Sequence, residues 1–543
     1  MLSFGAEDVT RIFRIETGIF SAAAAFPAAL PPLTALTLAA LLSLSALLSL
    51  MGCAVGPAFK RPQAPPTGAY TAAPLPASTE SAPVAGGAAQ CFKMGADIQA
   101  RWWALFHNPG LDRLMRLALA RSRTLAAARA ALAVAYENER AQAGALLYPG
   151  VDAKATAERQ KFSGAAFGEP GGHGIIFNLF NASAEVSYLF DLFGGSRRAI
   201  EALGAQVDYQ RFELEGAYVA LTANIVTTAV TEASLRAQIG ATREILAIQR
   251  AQLGIVERQL GLGGVSLPDV LAQRAVLAQT RAALPPLEKA LAQSRHQLAV
   301  LAGAFPADER KLPQFDLEGL KLPQQLPVSL PSRLVSQRPD IRASEALLHA
   351  ASAEIGVATA NMLPQITFTG GIGSETTKAN DLFGRNTSIW SLGMSLLQPV
   401  FRGGELKAKR RAAVDAYEQA LAQYQETVLE AFRNVADVLR ALDKDAGALA
   451  SQAEAWSAAR DTLDITGKQF RLGAVSYPQL LNAERQYQQA RIGLVQARAA
   501  RFADTAALFQ ALGGGWWNPA PGGAGRRAEA GKKPASLKRD GSS

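Results

Sequence analysis

Cysteine is nearly absent from this chain. Cys53 and Cys91 are the two in its 543 residues, which leaves no disulfide framework and no cysteine metal cluster. Histidine is scarce too: His107, His173, His296 and His349 stand far apart, without metal-ligand spacing and with no cysteine beside them. Neither a Gly-x-Ser-x-Gly elbow nor a phosphate-loop Gly-Lys-Ser/Thr occurs. Arg338-Pro339-Asp340 reads as a turn into a helix, with Asp340 near its N-terminus, rather than as an active-site loop. No enzyme constellation and no metal site therefore emerge. Proline and glycine are sparse in the long middle stretches, where Ala, Leu, Arg and Gln dominate. That composition favours helix, because alanine and unbranched side chains lose little freedom in one. Part of the +9 formal charge is local to the tail, with Arg526, Arg527, Lys532, Lys533, Lys538 and Arg539 against Glu529 and Asp540. No aromatic side chain interleaves those charges, so a solvated, disordered tail is expected and a nucleic-acid partner is not.

One strongly apolar run is present, at residues 33–50, about the minimum for a spanning helix. Arg11 and Arg14 lie upstream, and Leu50-Met51-Gly52-Cys53 closes the run. This resembles a bacterial lipobox, in which Cys53 becomes the acylated first residue of the mature chain. A membrane anchor and an ordinary cysteine are the alternatives. Cys91 reads as a small packed residue.

After a Pro/Ala/Gly-rich stretch at 54–96, helical patterning runs from Asp97 to Leu147 and stops at Pro149, which lacks the amide hydrogen a helix needs. The apolar period then changes to two, and it does so four times. Val151, Ala153, Ala155 and Ala157 form the first apolar set, and Phe180, Ala182, Ala184, Val186, Tyr188 and Phe190 the second. Ile366, Phe368 and Ile372 form the third; Trp390, Leu392, Met394 and Leu396 form the fourth. Each run is close to the ~9–11 residues that a tilted strand needs to cross a bilayer. Soluble antiparallel sheets alternate in the same way. Four strands in lipid would leave open edges with unpaired backbone, so a membrane reading requires several protomers in one barrel. Residues 196–258 and 405–471 are proline-free and promise very long helices. Val414, Leu421, Val428, Val435 and Leu442 repeat every seven, with Tyr417, Tyr424, Ala431 and Val438 three later, as a coiled-coil seam does.

The chain is written twice, at an offset near 210 residues. Asp191-Leu192-Phe193-Gly194-Gly195-Ser196 matches Pro399-Val400-Phe401-Arg402-Gly403-Gly404 at the start of each long helix. Leu262-Gly263-Gly264-Val265-Ser266-Leu267-Pro268 matches Leu472-Gly473-Ala474-Val475-Ser476-Tyr477-Pro478 at its far end, and Tyr148-Pro149 matches Leu363-Pro364. Each half reads helix, strand, strand, long helix, Gly turn, returning helix. Pro285-Pro286 should split the first returning helix in two.

These residues resemble the TolC-like outer-membrane factors, specifically NodT-type efflux lipoproteins. The resemblance is carried by Gly52-Cys53-Ala54-Val55-Gly56-Pro57 with Arg61-Pro62, and by Trp102-Trp103 to Leu111. Gln337-Arg338-Pro339-Asp340-Ile341-Arg342 and the doubled Leu-Gly turns complete it, and it covers residues 53–512. It implies an α+β membrane protein: long α-helical barrel hairpins plus four transmembrane β-strands per protomer, giving a 12-stranded barrel as a homotrimer. The implied function is a passive outer-membrane duct of a tripartite efflux system. Its partners would be a periplasmic adaptor (membrane fusion protein), an inner-membrane pump of the RND type and outer-membrane lipid. No cofactor is implied beyond a diacylglycerol and an N-acyl chain on Cys53. Ala54 lacks the aspartate that in many such lipoproteins signals inner-membrane retention.

The implied organisation, in order, is a signal segment (1–52), an acylated N-terminus and extended tether (53–96), first-repeat helices (97–149), a first barrel hairpin (150–192), a first long helical hairpin (193–303, tip near 261–268) and an equatorial linker (304–336). A second-repeat helix (337–363), a second barrel hairpin (364–400), a second long helical hairpin (401–512, tip near 471–478) and a disordered basic tail (513–543) follow. By the same resemblance Gly261, Gly263, Asp269, Leu472, Gly473, Gln479 and Asn482 would form the periplasmic tip and gate and meet the adaptor. Family members often carry aspartates after the second tip; here Gln479 and Asn482 cannot ionise. Asp269 is the remaining acidic candidate, with a helix N-terminal charge as its alternative role. The competing function is a non-conducting periplasmic coiled-coil scaffold or adaptor lipoprotein, which would carry one hairpin and soluble β-domains.

Overall fold

The computed structural model describes residues 54–163 and 174–518. Cys53, the 33–50 run, His173 and the basic tail beyond 518 lie outside the described residues. β1 (Cys91–Met94) follows the Pro-rich N-terminal stretch. Two helices come next, α1 (Pro109–Arg121) and α2 (Arg123–Leu147). The Asn108 side chain accepts from the Leu111 amide at 2.9 Å, and Ser122 from the Leu125 amide at 3.3 Å, so each helix starts on a side-chain cap. Beyond Pro149 lie β2 (Gly150–Phe162) and β3 (Ile175–Phe190). α3 (Gly195–Gly261) is 67 residues long, roughly 100 Å at 1.5 Å per residue. Asp191 starts it, its carboxylate accepting from the Ser196 and Arg197 amides at 3.1 and 3.0 Å.

Against α3 return α4 (Leu267–Ala282) and α5 (Leu284–Leu301), separated at Ala283 just ahead of Pro285. β4 (Gln325–Val328) and the short α6 (Pro331–Gln337) lead into α7 (Pro339–Ala360). The second half then repeats the first: β5 (Gln365–Thr376), β6 (Ser388–Leu397), α8 (Glu405–Arg471, again 67 residues) and α9 (Tyr477–Ala511).

The two β-hairpins join into one antiparallel sheet of order β2-β3-β5-β6. Register settles its faces. Val151 pairs with Val186, Val186 with Gly370, and Gly370 with Leu392; Tyr188 pairs with Phe368, and Phe368 with Met394. Paired residues project to the same side of a sheet, so all four apolar sets lie on one face. Asp152, Glu185, Gly371 and Ser391 pair across the other. A one-residue slip would have scrambled this separation.

Away from the sheet, α2, α3, α7 and α8 pack side by side in that order. A mid-chain core fixes them, with Trp102 stacked on Phe509 at 5.0 Å and Phe106, Phe315 and Phe502 fully buried. β1 pairs with β4 in parallel at this level.

Three expectations need correction. Residues 54–96 are more than the extended tether expected: they form a pinned strap. Arg501, 1% exposed, donates to the Gly86 and Ala88 carbonyls, to Thr79 Oγ1 and to Gln90 Oε1 at 3.1–3.2 Å, gathering the strap around one guanidinium. The tail does not begin at 513. Gly513, Gly514 and Gly515 all take positive φ, and Trp516 and Trp517 donate to the Gln337 carbonyl and Asp97 at 2.7 and 2.9 Å. Finally, the α8 seam does not keep a strict heptad. Burial runs Tyr424, Val428, Ala431, Val435, and then Leu439 rather than Val438, before Leu442, Ala446 and Leu449. A straight helix at 3.6 residues per turn drifts off a 3.5-residue repeat, and this four-residue step restores the contact.

Candidate functional site

Two ends of the molecule carry the candidate site: the sheet, and the tips of the long hairpins. The polar face of the sheet presents Asp152, Lys154, Glu185 and Glu375, and the apolar face presents Trp390, Leu392 and Met394, each well exposed in the single chain. β2 and β6 form the outer edges, without a partner strand on their far sides among the described residues. No helix among the described residues is long and apolar enough to cross a membrane.

At the base of the sheet the strap is held to the start of α3. Arg198 donates to the carbonyls of Val55 and Gly56 at 3.2 and 3.3 Å, and the Val55 amide donates to Phe193 O at 2.9 Å. Gly56 (φ +93°) lies so close to Gly356 that a side chain at either position would meet backbone within 3 Å. The residues that follow Cys53 are therefore fixed at the strand-to-helix junction.

The two tips are built alike. α3 ends at Gly261; Gly263 turns the chain at φ +74°, and the Gly264 amide reaches back to Gln259 O at 2.8 Å. In the second tip Gly473 has φ +75° and the Ala474 amide bonds Gln469 O at 2.9 Å. Such left-handed conformations favour glycine. Ser266 and Ser476 then cap the returning helices. Asp269 Oδ2 accepts from the Ser266 amide at 2.9 Å and from its hydroxyl at 2.6 Å, and Gln479 Oε1 accepts from the Ser476 amide at 3.0 Å. Asp269 and Gln479 are thus the same capping-box residue in the two repeats. The hydroxyl and amide of Ser266 hold the Asp269 carboxyl below its ordinary value. Ser-x-x-Asp and Ser-x-x-Gln spacing carried this role in the sequence. Asn482 is exposed on α9, and Leu262 and Leu472 stand at the crests, 86% and 85% exposed.

Both tips share one core. Val256 of α3, Val270 of α4, Phe470 of α8 and Tyr477 with Leu480 of α9 pack together. Beside it lies a polar group whose burial the sequence does not reveal. The Tyr477 hydroxyl donates to Gln273 Oε1, Gln273 Nε2 reaches the Gln249 carbonyl at 3.2 Å, and Glu484 borders the same amide. All four side chains are at least nine-tenths buried. Burial pushes the Glu484 carboxyl up to about 7, partly offset by the Gln273 contact, and it raises the Tyr477 hydroxyl as well. Polar residues at such spacing read as a solvated helix face; only the second hairpin, packed on the first, buries them. Among the described residues no group of three metal-capable side chains comes together.

Against known proteins, residues 114–304 and 330–514 match the model of a family described as outer membrane efflux protein. The pyoverdine export outer membrane protein OpmQ of Pseudomonas aeruginosa is 31% identical over 428 residues, 78% of this chain and 88% of that protein. The probable efflux pump outer membrane protein TtgC of Pseudomonas putida is 29% identical over 471 residues, 86% of this chain and 94% of that one. Among solved structures, the outer-membrane channel OprN superposes with a TM-score of 0.76 at 27% identity, covering 86% of this chain and all of that one.

Proposed function

This chain belongs to the outer membrane efflux protein family, and from that premise we propose a trimeric, lipid-anchored duct reaching from the outer membrane across the periplasm. It is an outer-membrane efflux channel of TolC-like fold. One observation carries the finer reading: the four strands present a single apolar face and two free edges, β2 and β6. Lipid tolerates no open edge, because every unpaired N–H and C=O there costs several kcal/mol. Pairing β6 of one copy with β2 of the next satisfies both edges, and three copies close a twelve-stranded barrel. Apolar residues then face lipid and polar ones line the opening.

The long helices, roughly 100 Å each, continue the passage to the paired tips. There Gly261, Gly263, Leu472 and Gly473, with the exposed crest leucines, are the surface for a periplasmic adaptor that connects to an inner-membrane pump of the RND type. An acidic gate ring is not part of this reading, since Gln479 replaces a carboxylate and Asp269 serves as a cap. Acylation of Cys53 supplies a second membrane attachment. The strap supports it, because Ala54 lies against Gly194 at the foot of the sheet. A non-conducting scaffold has no use for a bilayer-length sheet that gathers the apolar sets of all four strands on one face.

Fractionation and bilayer recording test the proposal together. The protein should sediment with outer membranes, run as a heat-modifiable trimer and conduct ions in planar bilayers. A monomer in the soluble periplasm would refute it. For the anchor, Cys53→Ser should abolish labelling with radioactive palmitate, and continued labelling would exclude Cys53.

A further inference from the structure

Among the described residues, Glu354, in the sheet-proximal half of α7, is the only ionisable side chain lining a cavity of about 630 Å3. Alanine and leucine make most of the remaining wall, among them Ala131 of α2, Leu203 of α3, Leu347 and Ala351 of α7, and Ala416 of α8. No hydrogen bond or ion pair within the described residues reaches the Glu354 carboxylate, and burial raises its pKa. The cation bordering the adjoining smaller cavity, Lys409, is committed to Glu405 at 2.5 Å.

The face of the wall on which this cavity opens follows from α7. Phe59 of the strap stacks on His349 at 4.4 Å, Arg61 pairs with Glu345 at 3.0 Å, and Gly56 abuts Gly356. Residues 345, 349 and 356 therefore form the strap-covered face. Leu347 and Ala351 sit two positions beyond 345 and 349, and Glu354 two positions before 356, each about 200° around a helix that turns about 100° per residue. The cavity is thus on the far side of the wall from the strap. The strap leads on from Cys53, whose proposed acyl chains sit in lipid outside the barrel, so the cavity side is the one turned away from the lipid. In the closed duct that side is the lumen, and neighbouring copies adjoin the α2 and α8 flanks rather than this surface.

We propose that the hollow is a station inside the duct for organic cations with a compact apolar body, the body against the alanine wall and the charge on Glu354. This rests on the reading of the chain as a duct. Three copies would place three such stations at one level of the lumen. The uncompensated carboxylate favours a positive charge at the same point where small side chains leave room for apolar bulk. An anion of equal shape gains the apolar contact but meets a like charge.

Tetraphenylphosphonium and tetraphenylborate are near-isosteric ions of opposite charge and serve as probes. Their binding is measured by equilibrium dialysis on the full-length protein in lipid nanodiscs, against empty nanodiscs. The unaltered protein should bind the cation at least ten-fold more tightly than the anion, relative to empty nanodiscs. Glu354→Gln should lose at least ten-fold in cation affinity, and Ala351→Trp, which fills the hollow, should lose binding as well. Equal protein-dependent binding of the two ions, or full cation affinity in Glu354→Gln, overturns the proposal. The ion comparison needs no variant, so it decides even if a substitution prevents assembly. Planar-bilayer recording of the unaltered protein separates the two levels. Conduction without charge-selective binding overturns this inference alone, whereas no conduction overturns the duct reading and this inference with it.

Discussion

Replacing Glu484 by glutamine removes a carboxyl that lies 4% exposed between the two hairpins near their tips. Its neighbours offer no counter-charge. Gln273 and Tyr477 touch the cluster, Asp269 accepts from Ser266, and Arg485 stands on the same helix. Glu257 is paired with Arg274 at 2.7 Å, Lys468 with Asp464 at 2.6 Å, and Glu244 lies 3.9 Å from Arg491. The carboxyl titrates near 4.5 in water and at about 7 in the packed tip. A hairpin that swings away releases the proton first, so the packed state loses ground as pH rises from 4.5 towards 7, and above that the loss is constant. At roughly 1.4 kcal/mol per decade of acidity, the full effect is about 3 kcal/mol. Acid therefore favours packed tips. Hydrogen exchange of α4 and the first turns of α9, corrected for the intrinsic pH dependence, reads the opening equilibrium directly. At pH 8 the Glu484→Gln tip should exchange about a hundred-fold more slowly than the unaltered one, while near pH 5 the two should agree within several-fold. Equal protection of both proteins at pH 8 would refute the argument.

Other perturbations test separate parts of the structure. Asp269→Ala and Gln479→Ala should each cost about 1 kcal/mol of local stability, seen as faster exchange in the first turn of α4 or α9, because both act as caps. A smaller effect of Gln479→Ala than of Asp269→Ala fits the extra hydroxyl bond and the charge at the first tip. Arg501→Ala leaves the Gly86 and Ala88 carbonyls without their buried donor and should cost about 3 kcal/mol, read as rapid proteolysis at Lys93 in the otherwise folded protein. Leu392→Pro removes a donor on the free edge of β6, which β2 of the next copy would need, and should abolish the heat-modifiable trimer while leaving the helical circular dichroism largely intact.

The doubled order of helix, strand, strand, long helix and returning helix is legible in the sequence because its signals are local, and the TolC-like class follows from the resemblance that order carries. A period of two marks strands, proline-free Ala/Leu runs mark helices, and glycine with serine and proline marks each tip. The doubled order of these signals joined them into one architecture. Gln479 and Asp269 stand among the tip candidates by resemblance, and their contacts are those of capping residues, a role already present in the spacing from Ser476 and Ser266. Glu484, Gln273 and Gln249 were invisible as a cluster, since they come from three helices and each alone looks like a surface residue. The strap follows the same rule: its Pro-rich composition suggests an extended tether, and the side chain that pins it, Arg501, lies more than 400 residues away.

Local periodicity, then, determined which side chains share a face of each strand and where each helix turns back. It also meant that, in lipid, four strands with one apolar face would need further copies. Tertiary structure alone decided that β3 lies beside β5, which merges four separate apolar stripes into one surface. It also chose which side of α7 the strap covers and which side, with Glu354, is left open. Those choices depend on contacts between residues far apart in the chain, and no short-range pattern records such contacts until the halves are packed together.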